Sequence, residues 1–316
     1  METTARIRIG TRGSPLAMAQ AREVQARLEA AHGPGTLAFE IHAIKTTGDR
    51  IQDRPLAEAG GKGLFTKEIE EALVAGEVDV AVHSMKDMPT ELPPDLALAV
   101  FLPRQDVRDA FLSPKAPSLA ALPQGAVVAT SSLRRQAQVR HLRPDLTVVS
   151  IRGNVDTRLR KLSAGVADAT LLAMAGLNRL GLADRATAPV PVDEILPAVA
   201  QGAIGVEIRA DDDAMAQILA PLNHPPTALA VTAERAFLAR LEGSCRMPIA
   251  ALGELQGEAD TRRFQLRGMI LSPDGRQCYK TRREGPPSEA VHLAEDAAAE
   301  LLAAAGPDFL KDLKAS

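Results

Sequence analysis

The chain has 316 residues, of which 46% are hydrophobic, 24% charged and 3% aromatic, with no Trp and a formal net charge of −3. That length accommodates two or three domains, and the balance fits a soluble globular protein with real cores. It argues against base stacking on aromatic platforms and against a global basic field for nucleic acid or anionic membrane.

Met1 to Gln20 carries charges throughout and no apolar h-region, and no apolar run approaches membrane-spanning length. Neither a signal peptide nor a membrane span is expected, and the cytoplasm is the expected compartment. The two cysteines, Cys245 and Cys278, form no C-x-x-C, so a disulfide framework and a thiolate zinc site are poorly supported and no metal is expected.

In chain order, Arg6 to Gly10 reads as a strand and Thr11-Arg12-Gly13 as a polar turn. Ser14 before Pro15 is a helix start, with Ala17, Ala21, Val24 and Leu28 on one face. Arg12, Ser14 and free backbone N–H groups then lie together, which fits an anion site and equally an exposed Arg near a cap. Phe39 to Ile44 is the next strand. Lys45 to Arg50 leads to Gly60-Gly61-Lys62-Gly63-Leu64-Phe65, which reads as a mobile loop with one Lys. It is not a P-loop, because no Ser or Thr follows a Gly-Lys. Thr66 opens a helix with Ile69, Ala72 and Leu73 inward.

Val78 to Val82 alternates as a short strand and runs into Val82-His83-Ser84-Met85-Lys86-Asp87-Met88-Pro89. Pro89 cannot donate to a ladder and stops the strand. A hydroxyl, an ammonium and a carboxylate thus gather at a strand end, where open α/β sheets place ligands. An Asp beside Lys86 stays ionised, and such a carboxylate can stabilise a cationic intermediate or move a proton. The octapeptide by itself fits a solvated Lys–Asp turn at least as well.

Leu96 to Phe101, Ala126 to Ala129, Leu146 to Ile151 and Asp168 to Ala173 read as further strands, with Pro114, Pro117 and Pro123 marking a loop. Thr130-Ser131-Ser132 precedes a helix that starts at Leu133 and carries Arg134 and Arg135. Arg152-Gly153-Asn154 precedes another from Val155, with Asn154 as N-cap, Arg158 and Arg160 on it, and Gly165 as its stop. From Thr130 to Lys161, eight Lys or Arg stand against two Asp, a basic concentration inside an acidic chain. Guanidinium groups at helix starts can grip carboxylate or phosphate at about 1.5–3 kcal/mol per charge-assisted bond. Arg140, Arg143 and Arg160 also fit a solvated face.

Pro189 to Pro197 reads as an inter-domain passage, Ala200 to Glu207 as a Gly-containing loop into a strand, and Asn223 to Pro226 as a boundary. Thr227 is expected to cap a helix with Leu229, Ala233, Phe237 and Leu241 at four-residue spacing, ended by Glu242-Gly243-Ser244-Cys245. A strand-rich tail from Met247, an Asp274-Gly275 hairpin turn and a helix from Ala297 to Ala305 close the chain. Cys245, beside Gly243 and Ser244 in a loop, is a candidate nucleophile or attachment point. Cys278, between Gln277 and Tyr279 in a strand, reads as packing.

Gly10 to Ala17, Gly61 to Phe65, Val82 to Pro89, Thr130 to Arg135, Arg152 to Val155 with Arg158-Leu159, and Leu241 to Cys245 occur in one order. Together they resemble the porphobilinogen deaminase (hydroxymethylbilane synthase) family, over about residues 6–252 and weakly beyond. Such enzymes condense porphobilinogen head to tail, release ammonia and yield the linear tetrapyrrole hydroxymethylbilane. The resemblance implies a dipyrromethane cofactor joined by a thioether to Cys245, and Asp87 as the catalytic carboxylate. For the cofactor it implies contacts from Lys86, Ser84, Thr130, Ser131, Ser132, Arg134, Arg135, Arg152, Gly153 and Asn154. For substrate it implies Arg12, Ser14, Gln20, Lys62, Arg158, Arg179 and Gln201.

The implied fold is α/β in three domains. Residues 1–102 plus 199–220 and residues 103–198 would be like type II periplasmic binding proteins, with mixed sheets and flanking helices. Residues 221–316 would be a small α+β domain bearing the attachment Cys. The resemblance further implies a monomer, porphobilinogen as small-molecule substrate, no nucleic-acid or membrane partner, and hand-over of product to uroporphyrinogen-III synthase. The chain departs from the family pattern at Ser244 and at Ala200, where Gly is usual, and at Arg246-Met247, where Gln-Val is usual. A positive φ at 244 would strain a Ser.

The residue chemistry agrees with that resemblance. Each pyrrole carries two carboxylates, so a growing product demands fixed cations. Loss of ammonia leaves an azafulvene cation that an ionised carboxylate can stabilise without acting as a nucleophile. Two other classes fit parts of the pattern: a non-catalytic small-anion binding module on the same fold, and a nucleic-acid binder using residues 130–161.

Overall fold

A computed structural model describes residues 5–50, 63–241, 247–258 and 261–315, with side chains for all of these except 5, 307, 308 and 310–315. In chain order the elements are β1 (Ala5–Arg12), α1 (Pro15–His32), β2 (Leu37–Ile44), α2 (Thr47–Arg50), α3 (Lys67–Val74), β3 (Val80–Ser84) and β4 (Leu96–Phe101). There follow β5 (Asp109–Leu112), β6 (Val127–Ala129), α4 (Leu133–Leu142), β7 (Thr147–Val149), α5 (Val155–Ser163), β8 (Ala169–Ala173), α6 (Met174–Arg179) and β9 (Ala188–Pro189). The remainder comprises β10 (Ile204–Arg209), α7 (Asp213–Leu219), α8 (Pro225–Arg240), β11 (Ile249–Gln256), β12 (Arg263–Leu271), β13 (Cys278–Gly285) and α9 (Ala290–Ala315).

Two compact units result, Met1–Gln105 with Ala203–Ala228, and Asp106–Gly202 with Leu229–Ser316. The first holds a five-stranded sheet in the order β2-β1-β3-β10-β4. β1 is parallel to β2 and β3, while β10 runs antiparallel to β3 and β4. Alternation decides its faces. Ile7, Ile9, Val80 and Val82 meet Ala21, Val24 and Leu28 of α1 on one side, and Ala81 meets Ile69 and Leu73 of α3 on the other.

The second unit repeats the plan in the order β7-β6-β8-β5-β9. β6 is parallel to β7 and β8, and β5 is antiparallel to β8 and β9. In each sheet a parallel trio is extended by an antiparallel strand that the chain supplies on crossing over: β5 outbound, β10 on return. This is the topology of two type II periplasmic-binding-protein-like domains. A third, antiparallel sheet, β11-β12-β13, belongs to a small α+β domain. Its Leu252, Met269 and Leu271 share a core with Ala137 of α4 and Leu196.

The structure differs from the sequence expectation in several places. β5 was not anticipated, because Arg108 and Asp109 lead straight into its short apolar run. Thr227 does not cap α8. The helix starts at Pro225, the His224 ring accepts from the Thr227 N–H at 3.3 Å, and the Thr227 hydroxyl accepts from the Arg104 N–H at 3.0 Å. The closing helix begins earlier, at Ala290, and is kinked at Gly306. Arg140 is not on a solvated face: its Nη1 donates to the Pro273 carbonyl at 2.7 Å, tying α4 to the β12–β13 turn.

Candidate active site

In the first unit, the chain ends of β1 and β3 lie side by side and build a depression lined by Arg12, Ser14, Gln20, Phe65, Thr66, Ser84, Lys86 and Asp87, among others. It holds about 450 Å³ of space open to solvent. Ser14 is the N-cap of α1, its Oγ accepting from the Ala17 N–H at 3.2 Å. The N-terminal end of α1 is thereby fixed at the rim, a position that favours anions. One turn along, Gln20 donates from Nε2 to Ser84 Oγ at 2.7 Å, locking both polar side chains.

Lys86 and Asp87 stand on a single 3₁₀ turn, Met85–Asp87, directly after β3. That turn is anchored from below. Met85 is buried, and its N–H donates to the Ala203 carbonyl at 3.1 Å. At Gly205 on the neighbouring β10, a Cβ would come within 2.2 Å of the Met85 sulfur, so only glycine lets the Met85 side chain pack there. Behind the strand, His83 Nε2 lies 3.0 Å from Glu207 Oε2 in a buried pair.

Arg12 is held on three sides. Its Nη2 bonds Asp49 Oδ1 at 2.5 Å, its guanidinium carbon lies 4.1 Å from the Phe65 ring centroid, and its Nη1 stands 4.0 Å from Asp87 Oδ2. Burial raises the Asp49 pKa, but the Arg12 hydrogen bond and charge outweigh it and hold that carboxyl below the usual range. Asp49 and Phe65 carried no role in the sequence reading. The signal was present in Thr46-Thr47-Gly48-Asp49, a turn sequence, but nothing local says which cation the Asp meets.

In the second unit, the parallel strands β6 and β7 feed α4 and α5, so two helix N-termini lie side by side. Ser131 Oγ joins them, donating to the Ile151 carbonyl at 2.5 Å with Ser150 Oγ at 2.9 Å. Thr130 is buried, and its Oγ1 accepts from the Ser132 N–H at 3.2 Å. Ser132 caps α4 and Asn154 caps α5. Gly153 has φ 116°, and a Cβ there would press within 2.5 Å of the Thr157 methyl, so the loop admits only glycine. Arg152 is half-buried beside it, and Arg158 Nε donates to the Gly153 carbonyl at 2.9 Å. Aligned N–H groups, hydroxyls and a guanidinium form a donor set suited to carboxylate arms.

Arg134 and Arg135 point elsewhere. Both are buried on Asp109, a fully buried carboxylate at the start of β5. Arg134 Nη2 and Arg135 Nη2 reach it at 2.9 and 2.8 Å, and Gln201 Nε2 donates to it at 2.8 Å. Arg134 Nη1 donates to the Leu196 carbonyl at 2.6 Å and Arg135 Nη1 to the Leu171 carbonyl at 2.9 Å. Burial alone would raise the Asp109 pKa, but the two arginines overcome it and hold the carboxyl far below its ordinary value. The sequence reading placed Arg134 and Arg135 on the cofactor and missed Asp109. Arg179 Nη2 donates to the Gly202 carbonyl at 2.9 Å, bracing the same 198–202 turn. Ala200 in that turn has φ 58°, the only positive φ of a non-glycine among the described residues, at one of the positions where the chain departs from the family's Gly. Lys62, Ser244 and Cys245 lie outside the described residues.

Among the described residues, no helix is long and apolar enough to cross a membrane, and no group of His, Cys, Asp or Glu is arranged to hold a metal. Fold and site together define an α/β protein of periplasmic-binding-like domains that offers helix ends suited to anions and an acidic turn. The family description "Porphobilinogen deaminase, dipyromethane cofactor binding domain" matches residues 7–217, and "Porphobilinogen deaminase, C-terminal domain" matches residues 228–303. The chain is 59% identical over 303 residues to the porphobilinogen deaminase of Paracoccus denitrificans, covering 96% of each. It is 58% identical over 308 residues to that of Nitrobacter winogradskyi, covering 98% of this chain and 96% of the other. A periplasmic substrate-binding protein of an ABC transporter from Coxiella burnetii is a distant structural likeness, at 17% identity and a TM-score of 0.40 over 70% of this chain and 94% of that one. The chain belongs to the porphobilinogen deaminase family.

Proposed function

We propose that the chain is a transferase that joins porphobilinogen units head to tail, releasing ammonia at each step and forming hydroxymethylbilane for porphyrin and haem biosynthesis. Family membership carries the reaction. The observation that carries the site is Asp87, set on a rigid turn at the end of β3 in a depression rimmed by Lys86, Arg12 and the N-terminus of α1. Losing ammonia leaves positive charge on the substrate's pyrrole, and a preorganised carboxylate at that point stabilises it. Arg12, Ser14 and Lys86 are the groups of this unit suited to carboxylate arms. Gln20 holds Ser84 in place.

A dipyrromethane joined to Cys245, when bound, supplies the pyrrole carbon from which the product grows. The donor set of the second unit fits such a group. Thr130, Ser131, Ser132, Arg152, Gly153 and Asn154 would hold its acetate and propionate arms, and Arg158 those of a further ring. In this reading Arg134 and Arg135 act through α4: their bonds to Asp109 fix the helix end that presents its N–H groups. We place the protein in the cytoplasm as a monomer that passes its product to uroporphyrinogen-III synthase. A small-anion binding module would share the helix ends but have no use for a covalent adduct.

Intact mass of the reduced, denatured protein tests the reading. A thioether survives both treatments, so the expected mass exceeds that of the sequence by one dipyrromethane, mapping to Cys245. Cys245→Ser is expected to lose adduct and activity, and Cys278→Ser to keep both. Active protein of bare sequence mass, or an adduct on Cys278, overturns it.

A further inference from the structure

Glu234 is a fully buried carboxylate on α8 with no part in the reaction as described so far. Its Oε2 accepts from the Ala200 N–H at 2.5 Å and its Oε1 from the Gly253 N–H at 2.7 Å. The two donors belong to separate pieces of the second unit. Ala200 sits in the 198–202 turn at φ 58°, a conformation that an L-residue leaves unless held. Its neighbour Gln201 donates to Asp109, the carboxylate that carries Arg134 and Arg135. Gly253 lies in β11, an edge strand of the third sheet.

In sequence, α8 ends at Arg240 and β11 begins at Ile249. One carboxylate on α8 therefore grips both arms of the segment that contains Cys245, the first by carrying it and the second through the Gly253 N–H. It ties both to the turn behind the Arg134–Asp109–Arg135 cluster. A carboxylate is the side chain suited to this work, because it accepts at both oxygens and each bond is charge-assisted. A carboxamide of the same shape offers one acceptor and turns N–H against N–H at the other.

We propose that Glu234 is a positioning residue that sets the register between the two arms of the Cys245 segment and the Gln201–Asp109 network, and so the placement of what Cys245 carries. The proposal rests on Cys245 as the attachment point. It also explains how the chain keeps Ala200 where the family usually has Gly: the strained residue is held by the same carboxylate.

The test compares Glu234→Gln, Ala200→Gly and their combination in the full-length protein. The readouts are adduct occupancy by intact mass, kcat and KM for porphobilinogen, and the thermal midpoint. Ala200→Gly alone is expected within about two-fold of wild type, since glycine adopts the same φ without strain. Glu234→Gln is expected to lower kcat or adduct occupancy at least ten-fold with KM little changed. The double variant is expected to recover a substantial part, because the turn then keeps its shape without the carboxylate. A general packing defect gives no such rescue. Wild-type kcat and occupancy in Glu234→Gln, or no recovery in the double variant, overturns the proposal. Should Glu234→Gln fail to fold, Glu234→Asp, which reaches only one of the two N–H groups, is judged by the same two criteria. Wild-type protein without an adduct on Cys245 instead overturns the attachment reading, and is scored separately.

Discussion

Arg12 Nη1 stands 4.0 Å from Asp87 Oδ2, close enough to orient the carboxylate and too far for a direct hydrogen bond. The guanidinium cannot swing closer without leaving Asp49 and the Phe65 ring. Asp87 therefore keeps acceptor capacity for a cation that arrives with the substrate.

Asp87→Asn removes charge and little volume on a turn held by the buried Met85, so the fold should survive. Turnover should fall by about 10²–10³, the usual cost of one preorganised electrostatic group. Ammonia release and bilane formation on folded variant check it; rates near wild type would remove Asp87 from the centre of the reaction.

Asp109 supports a different outcome. Asp109→Asn leaves two buried guanidinium groups without their counter-charge, which costs about 3–5 kcal/mol when one partner of a buried pair is removed. Denaturant unfolding should show that loss, together with incomplete adduct formation as the α4 end loosens. Arg135→Met, which removes one cation and leaves Asp109 paired with Arg134, should be milder. Equal stability of Asp109→Asn and wild type would mean the cluster contributes nothing net.

The cradle residues separate by position. Arg152→Leu and Arg158→Leu should stall assembly or elongation at different product lengths in a folded protein, read as a mass ladder after brief exposure to porphobilinogen. Arg160, exposed on α5, is the matched control and should stay within about two-fold of wild type, as surface substitutions usually do. Arg140 is a poor control because it holds the β12–β13 turn. If Arg160→Leu is as damaging as Arg152→Leu, the basic region acts as a diffuse field.

Glu70 gives a pH test. Burial, with the nearby Glu207 carboxylate adding to it, raises its pKa in the folded protein. The native state then binds a proton that the unfolded chain releases at about pH 4.3. The associated stability is complete below that pH and is lost as pH rises through the folded value. Glu70→Gln, which resembles the protonated form, should gain thermal stability relative to wild type as pH rises above about 4.3, the unfolded value. A constant difference above that pH would show that Glu70 is ionised in both states.

Local chemistry made much of this legible from residues alone. Ser14-Pro15 announces α1 and Asn154 announces α5, because a cap is satisfied within its own turn. Met85 and Gly205 are unremarkable in sequence, since their fit is a contact between strands far apart in the chain. The same holds for the arginines. Their types and helix-start positions are plain at 134 and 135, but their direction depends on Asp109, a buried charge whose strand is only four residues long. Nothing about Glu234 stands out in the helix Pro225–Arg240 until its two backbone partners are seen together.

The placement of β10 between β3 and β4 has a consequence for how the chain matures on the ribosome. Synthesis delivers β1 to β4 first, but their sheet lacks its fourth member until Arg209 has emerged. The strands of the second sheet, β5 to β9, are made consecutively in between and can close earlier. Completion therefore runs against the order of translation, and the nascent Asp87 turn waits for Ala203 and Gly205 to arrive beneath it. A fragment ending before residue 203 would possess every side chain of that depression and none of the floor that shapes it.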